Sequence, residues 1–428
     1  MAKIVNAEFV KDFFWRILFT LSKQGIVFYI FILTARTLSP ELFGVYNYIL
    51  SAIFFLILLC DFGVSTATSK YVAEYHSLNQ EKLKHVVFNA LLMVLAFVAV
   101  IALGMGLFGG WYFKEHFRYL VYFSPLIFLV PASSIYDGVY RGLKRFKEGA
   151  VITTGLGILF LFLAPFFIMR FGMVGSIFTQ VSFYALLFLL FAFSYKNFHI
   201  KFNSTIIKEI GKYSLIYGLA VISYQIFARI DVLFLGHYGF MGQIATYELL
   251  NKIFSILVIP FTLLGQVFAP RFTELFYGQK AYGQIYTSLK RYTAIFLGSG
   301  LAIGVFCFFT IPLIISFFFP AYINEYFWNV FVISLLIFTI NITTATIDHG
   351  MIVATGHAKL MTWLYSGLAI TNLVINVFAV KLFGYMGILY ATLFCVTIMV
   401  VALRIMFFKE MKKMVIQTEA EDVSLELV

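Results

Sequence analysis

Apolar runs of twenty or more residues recur along the whole chain, and a helix needs about twenty such residues to cross a hydrocarbon core of roughly 30 Å. Twelve can be drawn, at about 13–36, 43–64, 86–110, 119–140, 150–169, 173–194, 213–235, 245–268, 292–319, 327–347, 361–380 and 386–407. They are too long for the strands of a barrel. Inside lipid every backbone N–H and C=O must find its partner within the segment, so each run is expected to be a helix. With 62% of the 428 residues hydrophobic and 12% charged, little is left for a soluble domain. The chain reads as an all-α polytopic membrane protein.

The basic residues give an orientation. Twenty-three Lys and Arg fall in segments on the side of the N-terminus, among them Lys3, Arg16, Arg141–Lys147, Lys196–Lys212 and Arg404–Lys413. The opposite side holds five: Arg36, Lys114, Arg118, Arg170 and Lys381. Positive segments stay inside, so both termini are expected to be cytoplasmic in a multi-pass protein of the cytoplasmic membrane. The net charge of +11 is then a topology signal and a headgroup contact, not a nucleic-acid surface. The first span carries Lys23 and Arg36 and lacks a small-residue exit, so it reads as retained and not as a cleaved leader. Cys60, Cys307 and Cys395 lie far apart at no metal-binding spacing. No P-loop, nucleotide fingerprint or H-E-x-x-H is present, and His237, His349 and His357 read as surface residues; no cofactor or metal is expected.

The chain also repeats itself. At an offset of 200, Gly44–Phe54 lies over Ile244–Phe254, and Glu74 over Glu274. At an offset of 212, Phe171-Gly172-Met-Val-Gly175 lies over Phe383-Gly384-Tyr-Met-Gly387, and Gly155 over Gly367; Asp137 and Asp348 nearly match. Six spans per half make the halves enter from the same side. The expected architecture is two parallel six-helix repeats, 1–200 and 201–428, around a central cavity, joined by a basic linker at about 195–212.

Three cations interrupt this apolar background: Lys23 in the first span, Arg229 in the seventh and Lys252 in the eighth. A charge at membrane depth costs roughly 2.5–3.5 kcal/mol on insertion scales, so such residues face a wet cavity or a partner. Arg229 and Lys252 each lie about seven residues inside their spans, at roughly 10 Å depth for a rise of 1.5 Å per residue, and could share one anionic ligand. Polar residues accompany them at helical spacing, Ser214, Tyr217 and Gln225 with Arg229, and Glu248, Asn251 and Ser255 with Lys252. A plainer arrangement is equally open: Glu248 and Lys252 are four residues apart and Asp231 is at similar depth, so the charges could neutralise one another. Lys23 has no acid within a turn. Arg36 could anchor a helix end at headgroup level by snorkelling, and Asp61 and Asp231 could be caps or structural partners.

Several short motifs resemble a known family. Ala35-Arg36-Thr-Leu-Ser-Pro-Glu-Leu-Phe-Gly44-Val-Tyr46 resembles its turn between helices one and two, and Asp61-Phe-Gly63-Val-Ser65-Thr-Ala67 its end of helix two. Ile230-Asp231-Val-Leu-Phe-Leu-Gly236 with Ala245-Thr-Tyr247 resembles its helices seven and eight, apart from Ile244 where a glycine is usual. The family is that of Wzx-like polysaccharide and oligosaccharide lipid flippases, in the multidrug/oligosaccharidyl-lipid/polysaccharide (MOP) exporter superfamily. The resemblance implies a cavity lined by helices one, two, seven and eight. It implies a non-enzymatic exporter that moves a polyprenyl-pyrophosphate-linked oligosaccharide for cell-surface polysaccharide biosynthesis by alternating access. Lys23, Arg229, Lys252, Arg36, Gln225 and Asn251 would then face the substrate, and Glu248, Asp231 and Asp61 would be candidates for ion coupling. Membrane lipids and other polysaccharide-assembly membrane proteins are the implied partners. Two other readings stay open: a drug/cation antiporter of the same fold, and a membrane polymerase or ligase, against which the short outer loops argue.

Overall fold

A computed structural model describes residues 7–196 and 198–426. Nearly all of them are helical, with no strand among the described residues. Helices α1 (Ala7–Thr37), α2 (Pro40–Asp61), α3 (Val64–Leu78) and α4 (Gln80–Gly104) come first. Two short helices, α5 (Gly110–Phe113) and α6 (Phe117–Phe123), precede α7 (Leu126–Gly142) and α8 (Phe146–Ser194). Then follow α9 (Ser204–His237), α10 (Met241–Thr273), α11 (Tyr282–Phe318), α12 (Phe327–Ile347), α13 (Ala358–Phe383) and α14 (Tyr385–Glu426).

Nine stretches of the described chain are long and apolar enough to cross a membrane. Two of them each hold two of the expected spans. Gln80–Gly142 is interrupted between α4 and α7, and Phe146–Ser194 reverses at Gly172, whose φ of 55° and ψ of −128° break α8 in two. With α9 added, the protein makes twelve crossings as two repeats. The helices run past the apolar runs: α11 starts about ten residues before its run. Apolar composition marks where lipid lies, whereas backbone hydrogen bonding continues through polar residues that form helices equally well.

The turns follow from local chemistry. Ser39 caps α2 by accepting from Leu42 N, with Pro40 as the first helical residue, where its missing N–H costs nothing. Gly172 and Gly384 both have positive φ, 55° and 60°, and each reverses the chain into the last crossing of its half. Three residues later, a Cβ on Gly175 would lie 2.0 Å from Phe167 O and one on Gly387 2.1 Å from Ala379 O. Both Phe-Gly-x-x-Gly motifs therefore build the same turn, in which glycine is required twice.

The chain divides into two compact units, Met1–Gln225 and Ile226–Val428, with α9 running through the boundary. In the first unit α1 packs along α8, and α7 packs against α2, α3, α4 and α8. Apolar attraction between helices is weak in lipid, so close packing and hydrogen bonds hold them. Thr34 donates to Ser176 Oγ at 3.0 Å, Gln180 donates to Tyr46 Oη at 2.6 Å, and Ser22 and Thr154 share a hydrogen bond of 2.8 Å. In the second unit α12 is central, against α10, α11 and α14, with Phe254 stacked on Phe338 at 4.6 Å. Asp348 opens a π-helical turn after α12 and pairs with Arg404 of α14 at 3.1 Å. Arg404, read from the sequence as a loop cation, is instead buried in this pair.

Candidate functional site

Lys23 lies in the middle of α1, half-buried, with its ammonium 5.7 Å from the ring centroid of Tyr184 on α8. Among the described residues no carboxylate lies within ion-pair distance of it. Asp137, Arg16 and Arg141 are the charged groups whose field reaches it. A ring face stabilises an ammonium partly and leaves the remaining donors for a ligand. Arg36 is exposed in the last turn of α1, where a cation complements the carbonyl end of the helix.

In the second unit the charges are matched. Arg229 Nη1 of α9 donates to Glu248 of α10, at 3.1 Å to Oε2 and 3.3 Å to Oε1. The acid side chain is only 10% exposed against 35% for the guanidinium, so the carboxylate is buried beneath its partner. Lys252 stands half-buried one turn beyond Glu248, in the opposing fields of Arg229 and Glu248. Asn251 lies within hydrogen-bonding reach of Tyr247. Gln225, the remaining polar candidate on α9, lies outside the residues whose side chains are described.

Asp231 occupies a different setting, two residues along α9 from Arg229. It is 2% exposed and accepts from Tyr247 Oη of α10 at 3.2 Å. Asn376 of α13 and Thr392 of α14 lie within reach of the same carboxylate. Asn376 donates to Asn372 Oδ1 at 2.8 Å, and both amides are fully buried. Asp231 Oδ1, Asn376 Oδ1 and Asn372 Nδ2 nonetheless have no hydrogen-bond partner. Each buried polar atom left unpaired costs about 1–3 kcal/mol. A cluster of mostly oxygen atoms around one carboxylate is chemically suited to a proton or a hard cation. Sequence reasoning reached Asp231 and missed Asn372, Asn376 and Thr392. The signal was there: two asparagines four residues apart within an apolar span.

Asp61 has a local task. It ends α2, and after Phe62 and Gly63 turn the chain with φ of 39° and 82° its carboxylate accepts from Ser65 N at 3.0 Å and Ser65 Oγ at 2.9 Å. It caps α3. His357 departs from the expectation of a surface residue. Its Nδ1 hydrogen-bonds Thr355 Oγ1 at 2.9 Å and its Nε2 lies 3.1 Å from Glu410, with the rings of Phe276 and Phe407 edge-on to it. His237 is exposed, and the side chain of His349 lies outside the described residues. No group of three or more His, Cys, Asp or Glu that could hold a metal ion occurs among the described residues. The three cysteines are buried and free.

The fold of helical crossings in two repeats is shared with solved transporters of the MOP superfamily. The inward-facing conformation of a multidrug resistance MATE family transporter of that superfamily superposes with a TM-score of 0.70 at 17% identity, over 93% of this chain and 96% of that one. The lipid II flippase MurJ, in an inward closed conformation, gives 0.66 at 15% identity, over 98% and 92%. A MOP transporter from Pyrococcus furiosus, described as having a binding pocket of reversed polarity, gives 0.57 at 15% identity, over 92% and 94%. These likenesses establish the fold. Residues 9–276, more than half of the chain, match the family of polysaccharide biosynthesis proteins, and the protein belongs to that family. No curated protein sequence matches it.

Proposed function

We propose that the protein is a flippase that carries a polyprenyl-pyrophosphate-linked oligosaccharide across the cytoplasmic membrane for cell-surface polysaccharide assembly. The observation that carries this reading is Lys23: an ammonium in the middle of a membrane helix, with no carboxylate at ion-pair distance among the described residues, in a chain of the polysaccharide biosynthesis family. A glycan rich in hydroxyls cannot cross hydrocarbon without partners for them, so it needs a polar path. Lys23 meets the pyrophosphate. Arg229 and Lys252, with Arg36, Gln225 and Asn251, supply further donors, and binding of the anion at Arg229 competes with Glu248.

Transport proceeds by alternating access of two six-helix halves, 1–200 and 201–428, with both termini in the cytoplasm. Coupling to an ion gradient falls to Asp231 and its amide and hydroxyl neighbours, whose open hydrogen-bonding positions a proton or monovalent cation would fill. Membrane proteins of polysaccharide assembly are the expected partners. A drug/cation antiporter of the same fold would instead need an acid offered to its substrate, and Glu248 is already paired with Arg229. The test is deletion of the gene followed by analysis of lipid-linked glycan in each membrane leaflet. Accumulation in the inner leaflet, relieved by the wild-type protein and not by Lys23→Ala, is expected. Unchanged leaflet distribution on deletion overturns the reading.

A further inference from the structure

The N-terminal unit concentrates charge at one place that the proposed transport path does not use. Asp137 of α7 accepts from Arg16 Nη1 of α1 at 2.7 Å and lies 3.4 Å from Nε of Arg141, one turn further along α7. One carboxylate faces two guanidiniums, which leaves one positive charge over. The acid is the inner member, 14% exposed, whereas Arg16 and Arg141 are 34% and 33% exposed. Arg141 Nε is itself buried and makes no hydrogen bond. These groups line a shallow recess, open to solvent and with room inside for about one water-sized oxygen, whose remaining wall includes Phe19, Tyr140 and Gly149.

The recess is held open and oriented by its own chemistry. The Arg16 guanidinium lies 4.9 Å from the Phe19 ring centroid, which fixes the direction of its unused donors. Gly149 is buried beside Phe19 and adds no side chain to the floor. Just outside, Lys147 sits 5.8 Å from the Trp15 ring and Arg145 5.8 Å from the Tyr140 ring. Aromatic rings interleaved with basic residues mark the depth of lipid headgroups. Two guanidinium forks match the oxygens of a phosphate, and the basic and aromatic surround at headgroup depth makes a lipid phosphate the anion at hand.

We propose that the mouth of this recess binds the phosphate of an anionic lipid headgroup, with Arg16 and Arg141 as the contacting groups and Asp137 as the carboxylate that competes for them. The Arg16–Asp137 pair is satisfied by a short hydrogen bond, whereas Arg141 approaches the same carboxylate only at 3.4 Å and without a hydrogen bond; this incompletely satisfied second guanidinium is what calls for an anion.

Native mass spectrometry of the full chain with added phosphatidylglycerol or phosphatidylcholine tests it. Arg141→Gln is the first variant, because it leaves the short Arg16–Asp137 pair intact. The wild type should retain more phosphatidylglycerol than phosphatidylcholine, and Arg141→Gln should reduce that excess about tenfold, equivalent to about 1.4 kcal/mol. Asp137→Asn, which removes the competing carboxylate, should keep or raise the excess. Polyprenyl phosphate that displaces phosphatidylglycerol from the wild type assigns the lipid carrier as occupant; failure to displace it assigns the bulk lipid. An undiminished excess in Arg141→Gln, or its loss in a folded Asp137→Asn, overturns the site. Displacement by an equal concentration of inorganic phosphate overturns the lipid and leaves a free-anion site.

Discussion

In the N-terminal unit, the cation at membrane depth, Lys23, meets an aromatic ring and no acid at ion-pair distance among the described residues; in the C-terminal unit, Arg229 closes on Glu248 at 3.1 Å. The second unit also buries Asp231 among amides and two hydroxyls, and that cluster has no counterpart among the described residues of the first. Yet both units are made from the same turn, with Gly172 and Gly384 reversed alike and Gly175 and Gly387 excluded from carrying a Cβ alike. The repeat has kept its scaffold and divided its chemistry. In the proposed function, one half offers the Lys23 ammonium to an anion and the other offers the Asp231 carboxylate to an ion.

The shared scaffold gives the largest expected effect. Gly175→Ala and Gly387→Ala each drive a methyl into a backbone carbonyl at about 2 Å, so part of the turn must move. Overpacking of this kind costs about 1–3 kcal/mol or more. Both variants should lose most of the monodisperse protein in fluorescence-detected size-exclusion chromatography, and to a similar degree. Collapse of one alone would break the equivalence of the two turns.

Next in size is the contrast in charge. Glu248→Ala leaves Arg229 without its partner, a change that costs about 3–5 kcal/mol in a fully buried pair and less here, because Arg229 is 35% exposed. Thermal melting in detergent should fall for Glu248→Ala and recover in the Arg229→Ala/Glu248→Ala double variant, whereas Lys23→Ala should melt no lower than wild type. Destabilisation by Lys23→Ala would mean that Lys23 holds the fold together as Arg229 does.

The Asp231 neighbours come third. Asn376→Leu removes one amide of the cluster and leaves Asn372 Oδ1 without its donor, at a cost of about 1–3 kcal/mol. If the cluster holds an ion, the dependence of export on the ion gradient should weaken several-fold in Asn376→Leu while binding of the lipid substrate is retained. Equal dependence in variant and wild type would confine the cluster to helix packing. The smallest effect is expected at His357. Its acid partner Glu410 is 43% exposed, so the pair is worth at most about 1 kcal/mol, and His357→Ala should export at close to the wild-type rate in a leaflet assay.

Much of this was legible in the residues. The twelve spans, the doubled Phe-Gly-x-x-Gly turn and the isolation of Lys23 follow from hydropathy, from an offset of 212 and from the lack of an acid within a helical turn. The partners of the buried charges were not. Arg16 meets Asp137 from 121 positions away, and Arg404 meets Asp348 from another helix, so no local spacing announces either pair. Glu248 sits one turn from Lys252 in sequence, yet the ion pair it forms with Arg229 crosses from α10 to α9, a choice that only helix packing decides. Asn372 and Asn376 look from the sequence like ordinary interhelical hydrogen-bonding residues. Their importance comes from Asp231, which the fold delivers on α9.

Reconstituted vesicles that hold a fluorescent lipid-linked oligosaccharide, with or without an imposed ion gradient, test the division of labour between the units most directly. Lys23→Ala should abolish flipping with and without the gradient, because the anion is no longer bound. Asp231→Asn should still equilibrate the lipid between leaflets and should lose only the net transport that the gradient drives. Flipping by Lys23→Ala at the wild-type rate, or equal loss of both activities in a folded Asp231→Asn, would contradict the assignment of the substrate to one half and the coupling ion to the other.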